Sequence, residues 1–97
     1  MTLERQGDRL VITSLPIQEM ALLSLAAPVT PEGEQVLRAL LRGESVWARV
    51  KGLEYKQYRR SAPRGVYQAF VAMERRLREM GIGLLRDGGG GICSWDR

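Results

Sequence analysis

Histidine is absent from this chain of 97 residues, and cysteine occurs once, at Cys93. The first absence removes the commonest general base and the commonest metal ligand together. The second excludes an internal disulfide and any multi-cysteine metal site, and makes a reducing cytoplasm the expected compartment. No apolar run approaches the roughly 20 residues that span a bilayer. The opening stretch MTLERQGDRL lacks the charged-then-apolar pattern of a signal peptide. No pair of carboxylates stands out as a catalytic couple. Most hydrolases are thereby excluded, and no enzyme, catalytic residue, metal, cofactor or membrane partner is expected.

What is present is ordinary in amount and uneven in distribution. A hydrophobic fraction of 44% with 27% charged residues suits a soluble globular protein, and the length suits a single domain over 1–97 with one modest core. The net charge is +4 and the pI about 9.8. Between Arg49 and Arg78 stand nine basic residues, Arg49, Lys51, Lys56, Arg59, Arg60, Arg64, Arg75, Arg76 and Arg78, against Glu54 and Glu74 alone. The remainder of the chain is slightly acidic. A basic cluster of this kind is the usual electrostatic footprint of nucleic-acid binding.

Along the chain, residues 2–14 read as a short hairpin turning at Gln6-Gly7-Asp8, with a β-rich Leu10-Val11-Ile12-Thr13. After Pro16 the segment IQEMALLSLAA (17–27) suits either a helix or a buried strand, with a lean to strand or extended packing material. Thr30-Pro31-Glu32 opens a helix: Thr30 can cap it, Pro31 loses no hydrogen bond at the first position, and the acid suits the dipole. Val36, Leu37, Leu40 and Leu41 form its apolar face and Gly43 a stop. SVWARVKG (45–52) is read as a short second helix; the competing reading is a β-hairpin turning at Lys51-Gly52. Leu53–Ser61 reads as a basic, tyrosine-containing loop, equally well explained as a mobile, solvated connection.

The dominant feature is RGVYQAFVAMERRL (64–77). Val66, Phe70, Met73 and Leu77 recur at helical spacing as an apolar stripe. Arg64, Gln68 and Arg75 lie roughly opposite, with Val71, Ala72 and Arg78 beside them. This third helix is expected from Pro63 to about Met80, ending at Gly81. Ile82–Trp95 reads as a hairpin with a glycine-rich tip at 86–91. The four glycines lack the Lys-Ser/Thr of a phosphate loop and open no helix. Trp47, Trp95 and Cys93 are most simply core or strand residues.

In this order the chain resembles the OmpR/PhoB-type winged-helix effector domain of bacterial response regulators. Val29–Leu37 is similar to that family's first-helix opening, Arg64–Leu77 to its recognition helix, and Ile82–Arg86 with Gly91-Ile92 to its wing. The resemblance implies an α+β fold, a winged helix-turn-helix: a short N-terminal β segment (2–27), a three-helix core (29–81) and a C-terminal β-hairpin wing (82–95). It further implies a DNA-binding transcription regulator whose third helix enters the major groove of double-stranded DNA. In it Arg64 meets the backbone at the groove edge and Gln68 is the best adenine reader. Tyr67, Val71, Ala72, Arg75 and Arg78 line the helix, and Arg86 grips phosphate or the minor groove from the wing. Arg59 and Arg60, in a loop with Tyr55 and Tyr58, face the DNA backbone or RNA polymerase. A homodimer on DNA, with half-sites about one helical turn apart, is expected, and residues 2–27 are its candidate surface. Two other readings stand beside this one: a winged helix that binds protein, and a binder of RNA or single strands through Tyr55, Tyr58 and the basic loop.

Overall fold

The computed structural model describes residues 1–86. It is a small α+β arrangement of three α-helices and one four-stranded sheet. Strands β1 (Thr2–Gln6) and β2 (Arg9–Ser14) form the expected antiparallel hairpin around Gly7, whose φ of 64° is one that few other residues adopt cheaply. The sheet continues with β3 (Ser45–Arg49) parallel to β2, and β4 (Ile82–Leu85) parallel to β3, in spatial order β1-β2-β3-β4. Parallel neighbours need long crossovers. The first carries α1 (Ile17–Ser24) and α2 (Pro31–Leu41); the second carries two 3-10 turns, Val50–Gly52 and Glu54–Tyr58, and then α3 (Arg64–Glu79).

All three helices lie on one face of the sheet. Alternate strand residues Leu10 and Ile12, Val46 and Ala48, Ile82 and Leu84 share one buried cluster with Met20 and Leu23 of α1, Val36 and Ala39 of α2, and Leu77 of α3. The period of two in the strands and of three or four in the helices is what brings these residues to one side. Val11 and Leu85, which point to the opposite face, are buried as well.

Several expectations need correction. Residues 17–24 form a helix and not a strand: Met, Ala and Leu favour it, Pro16 precedes its first turn, and Met20 and Leu23 point inward at helical spacing. The helix ends with Ala26 in the left-handed region at φ 57°, where the Ala27 N–H reaches back to the Leu22 carbonyl at 3.0 Å. Residues 45–49, read as a second helix, form β3. Val46 and Ala48 face the core while Trp47 and Arg49 face away, and Ser45 Oγ accepts from Trp47 Nε1 at 2.7 Å. No hairpin turns at Lys51-Gly52 either, since β3 pairs with β2 and β4. The loop over 53–61 is largely a 3-10 turn. The first arm of the expected wing hairpin is β4, joined in parallel to β3; the tip and second arm lie outside the described residues.

Two helices came out as read. Thr30 Oγ1 accepts from the Gly33 N–H at 3.1 Å, with Pro31 inside the first turn of α2. The span of α3 matches its expected limits, with Gly81 beyond it at φ 111°.

Candidate nucleic-acid interface

Helix α3 is amphipathic but rotated slightly from the expected stripe. Met73 and Phe70 are half-buried and Leu77 fully buried, whereas Val66 is 52% exposed. The cause is Tyr55, carried in by the second 3-10 turn, whose ring meets Tyr67 at 5.3 Å and Phe70 at 5.8 Å between centroids. Its hydroxyl donates to Glu74 Oε1, a carboxylate that also pairs with Lys56 Nζ at 3.3 Å. Burial, and then the Glu74 hydrogen bond, push the Tyr55 phenol well above its ordinary range. These contacts turn the Tyr67–Glu74 side of α3 inward.

The outward arc of α3 is therefore Arg64, Gln68, Ala72 and Arg75, all exposed. At 100° per residue they fall within about a quarter of the helix circumference, and Arg64 and Arg75 stand about 16 Å apart along the axis. Glu79 continues the same arc and is exposed, which places one negative charge at its C-terminal end. Three residues expected on this face are not on it. Tyr67 and Val71 are half-buried against the core, and Arg78 is half-buried beside them.

Arg59 and Arg60 are exposed just before α3. Its first turn contains no acidic residue and begins with Arg64, against the usual preference for acids at the positive end of a helix dipole. Because β3 and β4 are parallel and α3 runs back between them, this end of α3 lies at the carboxyl ends of the strands. Arg86, exposed immediately after β4, is at that same end. Among the described residues, Arg59, Arg60, Arg64 and Arg75 form no ion pair. Of the nearby acids, Glu54 and Glu74 are otherwise engaged. Glu54 accepts from the Ile17 N–H at 3.1 Å and the Tyr58 hydroxyl at 3.1 Å, which holds the Tyr58 phenol above its usual range, and Glu74 is taken by Tyr55 and Lys56. Arg76 is anchored, its Nε donating to the Ser24 carbonyl at the end of α1 at 3.2 Å.

A second feature was missed in the sequence. Ile17, Tyr58, Val66 and Phe70, with Tyr55 and Tyr67 beneath, enclose an apolar notch of about 120 Å³. The helical spacing places Val66 in the buried stripe, and nothing in the spacing links Ile17 to it. No group of three or more His, Cys, Asp or Glu side chains is arranged to hold a metal ion among the described residues. No helix among them is long and apolar enough to cross a membrane. In comparison with known proteins, no family model, no curated protein and no solved structure matches the chain.

Proposed function

We propose that this protein binds double-stranded DNA through the outward arc of α3 and the arginines at its N-terminal end. The observation that carries the reading is a concentration of exposed arginines without ion-pair partners among the described residues, Arg59, Arg60, Arg64 and Arg75, with Glu54 and Glu74 already committed to other groups. An uncompensated positive surface of this kind raises the local concentration of a polyanion and speeds its encounter. In the finer form of the proposal α3 acts as the recognition helix of a winged-helix regulator in the cytoplasm, without catalysis, and binds as a homodimer. Gln68 then offers both amide groups to an adenine edge, Ala72 meets a thymine methyl, and Arg64, Arg75, Arg59, Arg60 and Arg86 hold phosphates. Because β3 stands where a helix-turn-helix has its second helix, the reading rests on the charge and exposure of α3 and not on helix-turn-helix packing.

The test is a salt titration on duplex DNA. Five phosphate contacts give a slope of log affinity against log salt of about −4.5. Removing Arg64 and Arg75 together as alanines brings it to about −2.7, while Gln68→Ala leaves the slope alone and flattens discrimination between duplex sequences. A slope near zero, or a double variant with the parent's slope, overturns the proposal.

A further inference from the structure

We propose that the notch between the start of α1, the second 3-10 turn and the first turns of α3 is a docking site for a partner protein. It receives a single large apolar side chain carried in a short acidic segment.

Three of the exposed large hydrophobic residues among those described converge on this one place: Ile17 at 38% exposure, Tyr58 at 42% and Val66 at 52%. Their convergence comes from the fold and not from sequence proximity. The Ile17 backbone is tied to Glu54 Oε1 and the Tyr58 hydroxyl to Glu54 Oε2, so one carboxylate fixes two walls. Tyr55, stacked on Phe70 and anchored to Glu74, forms the floor. The notch is thus preformed, which lowers the ordering cost of filling it. At about 120 Å³ it has room for one leucine- or phenylalanine-sized side chain and not for a drug-sized ligand.

Its chemistry decides the class of occupant. The lining is almost wholly apolar carbon, and the hydroxyls of Tyr55 and Tyr58 are spent on Glu74 and Glu54. A nucleobase seated there would leave its hydrogen-bonding edge unsatisfied, at a cost an apolar side chain does not incur. Around the mouth the charge is mainly positive, the carboxylate there, Glu54, accepting from the Ile17 N–H and the Tyr58 hydroxyl. Arg59 and Arg60 follow Tyr58 directly, and neither has an ion-pair partner among the described residues. The complementary segment is therefore acidic on either side of its apolar anchor, and its charges meet the rim while its anchor meets the notch.

The experiment is selection of random twelve-residue peptides displayed against the whole chain, followed by affinity measurement with the synthetic winners. The expected winners carry one large aliphatic or aromatic residue flanked by Asp or Glu. Replacing that residue by alanine weakens binding about tenfold to a hundredfold. Val66→Arg is the decisive variant, because it blocks the notch while adding positive charge. Notch docking is lost in it by at least tenfold, whereas attraction to charge alone is kept or strengthened. Arg59→Ser with Arg60→Ser weakens binding and makes it less sensitive to salt. Val66 is half-exposed, so the circular dichroism of the variant stays that of the parent. The proposal is overturned if no peptide is enriched, if winners lack the apolar residue, or if Val66→Arg binds them as well as the parent. It is equally overturned if oligo-dT, and not the peptide, shifts the Tyr58 and Val66 resonances.

Discussion

Replacing Gly52 with alanine puts a carbon atom where the end of β2 already runs. An added Cβ would stand 2.8 Å from the Thr13 carbonyl carbon and 3.2 Å from Ser14 Cα, and closer still to the Thr13 oxygen, where ordinary contact begins near 3.4 Å. All three are backbone atoms, so no side chain can swing aside. The only relief is to separate the two segments, and that breaks the joint between them. The Leu15 N–H donates to the Gly52 carbonyl at 2.8 Å, and the Glu54 N–H donates to the Leu15 carbonyl at 3.2 Å. Two such bonds contribute about 1 kcal/mol each, and overpacking adds about 1–3 kcal/mol, for a total of about 3–5 kcal/mol. That is a large part of the stability of a domain of this size, about 5–15 kcal/mol. Urea unfolding followed by circular dichroism is the assay, with Gly65→Ala as its control. At Gly65 an added Cβ meets nothing within 4 Å, and a helical glycine exchanged for alanine gains about 0.5–1 kcal/mol. A loss below about 1 kcal/mol at Gly52 would refute the close approach of these backbones. The same joint orients the 3-10 turn that carries Tyr55 and Tyr58, so the notch is damaged along with the fold.

Two further perturbations test smaller parts. Thr30→Ala removes the side-chain cap of α2 and is expected to cost about 1 kcal/mol, read as a melting temperature about 4–8 °C lower; an unchanged melting temperature would show that the cap bond contributes nothing. Tyr55→Phe addresses pH. The phenol is held above its ordinary value of 10.0 in the folded protein, so its stabilisation is complete below pH 10, declines once the unfolded chain starts to lose that proton, and is gone above the folded value. The parent's urea midpoint therefore falls more steeply above pH 10 than that of the phenylalanine variant, and equal slopes would remove Tyr55 as the cause.

What could be read in the sequence was what local chemistry decides. Thr30-Pro31 marked the start of α2, Gly7 the first hairpin, and the Pro63 to Gly81 interval the whole of α3, with Arg64, Gln68 and Arg75 on its outer side. What could not be read was decided by partners distant in the chain. Val46, Trp47 and Val50 fit one side of a helix as well as Val46 and Ala48 fit one side of a strand. The choice between them was made by β2 and β4, which offer parallel edges on both sides. Ile17–Ser24 has the reverse history: a sheet completed by β3 and β4 leaves that segment the role of covering it. The rotation of α3, which took Tyr67 and Val71 inward and left Val66 out, follows from Tyr55, and no period within 64–77 contains that information. The notch was illegible for the same reason, being assembled from three separate elements.

The two proposed surfaces use different sides of one helix. Val66 lies about 160° around α3 from Gln68, so DNA along the outer arc leaves the notch open and an occupied notch leaves the outer arc open. They share the rim, however, since Arg59 and Arg60 serve phosphates in one case and a partner's carboxylates in the other. Binding one acidic partner must then lower affinity for the other by the same factor in both directions. The size of that factor is electrostatic in origin and shrinks as salt rises. A steric conflict would persist at high salt, and this difference separates shared charge from overlapping sites.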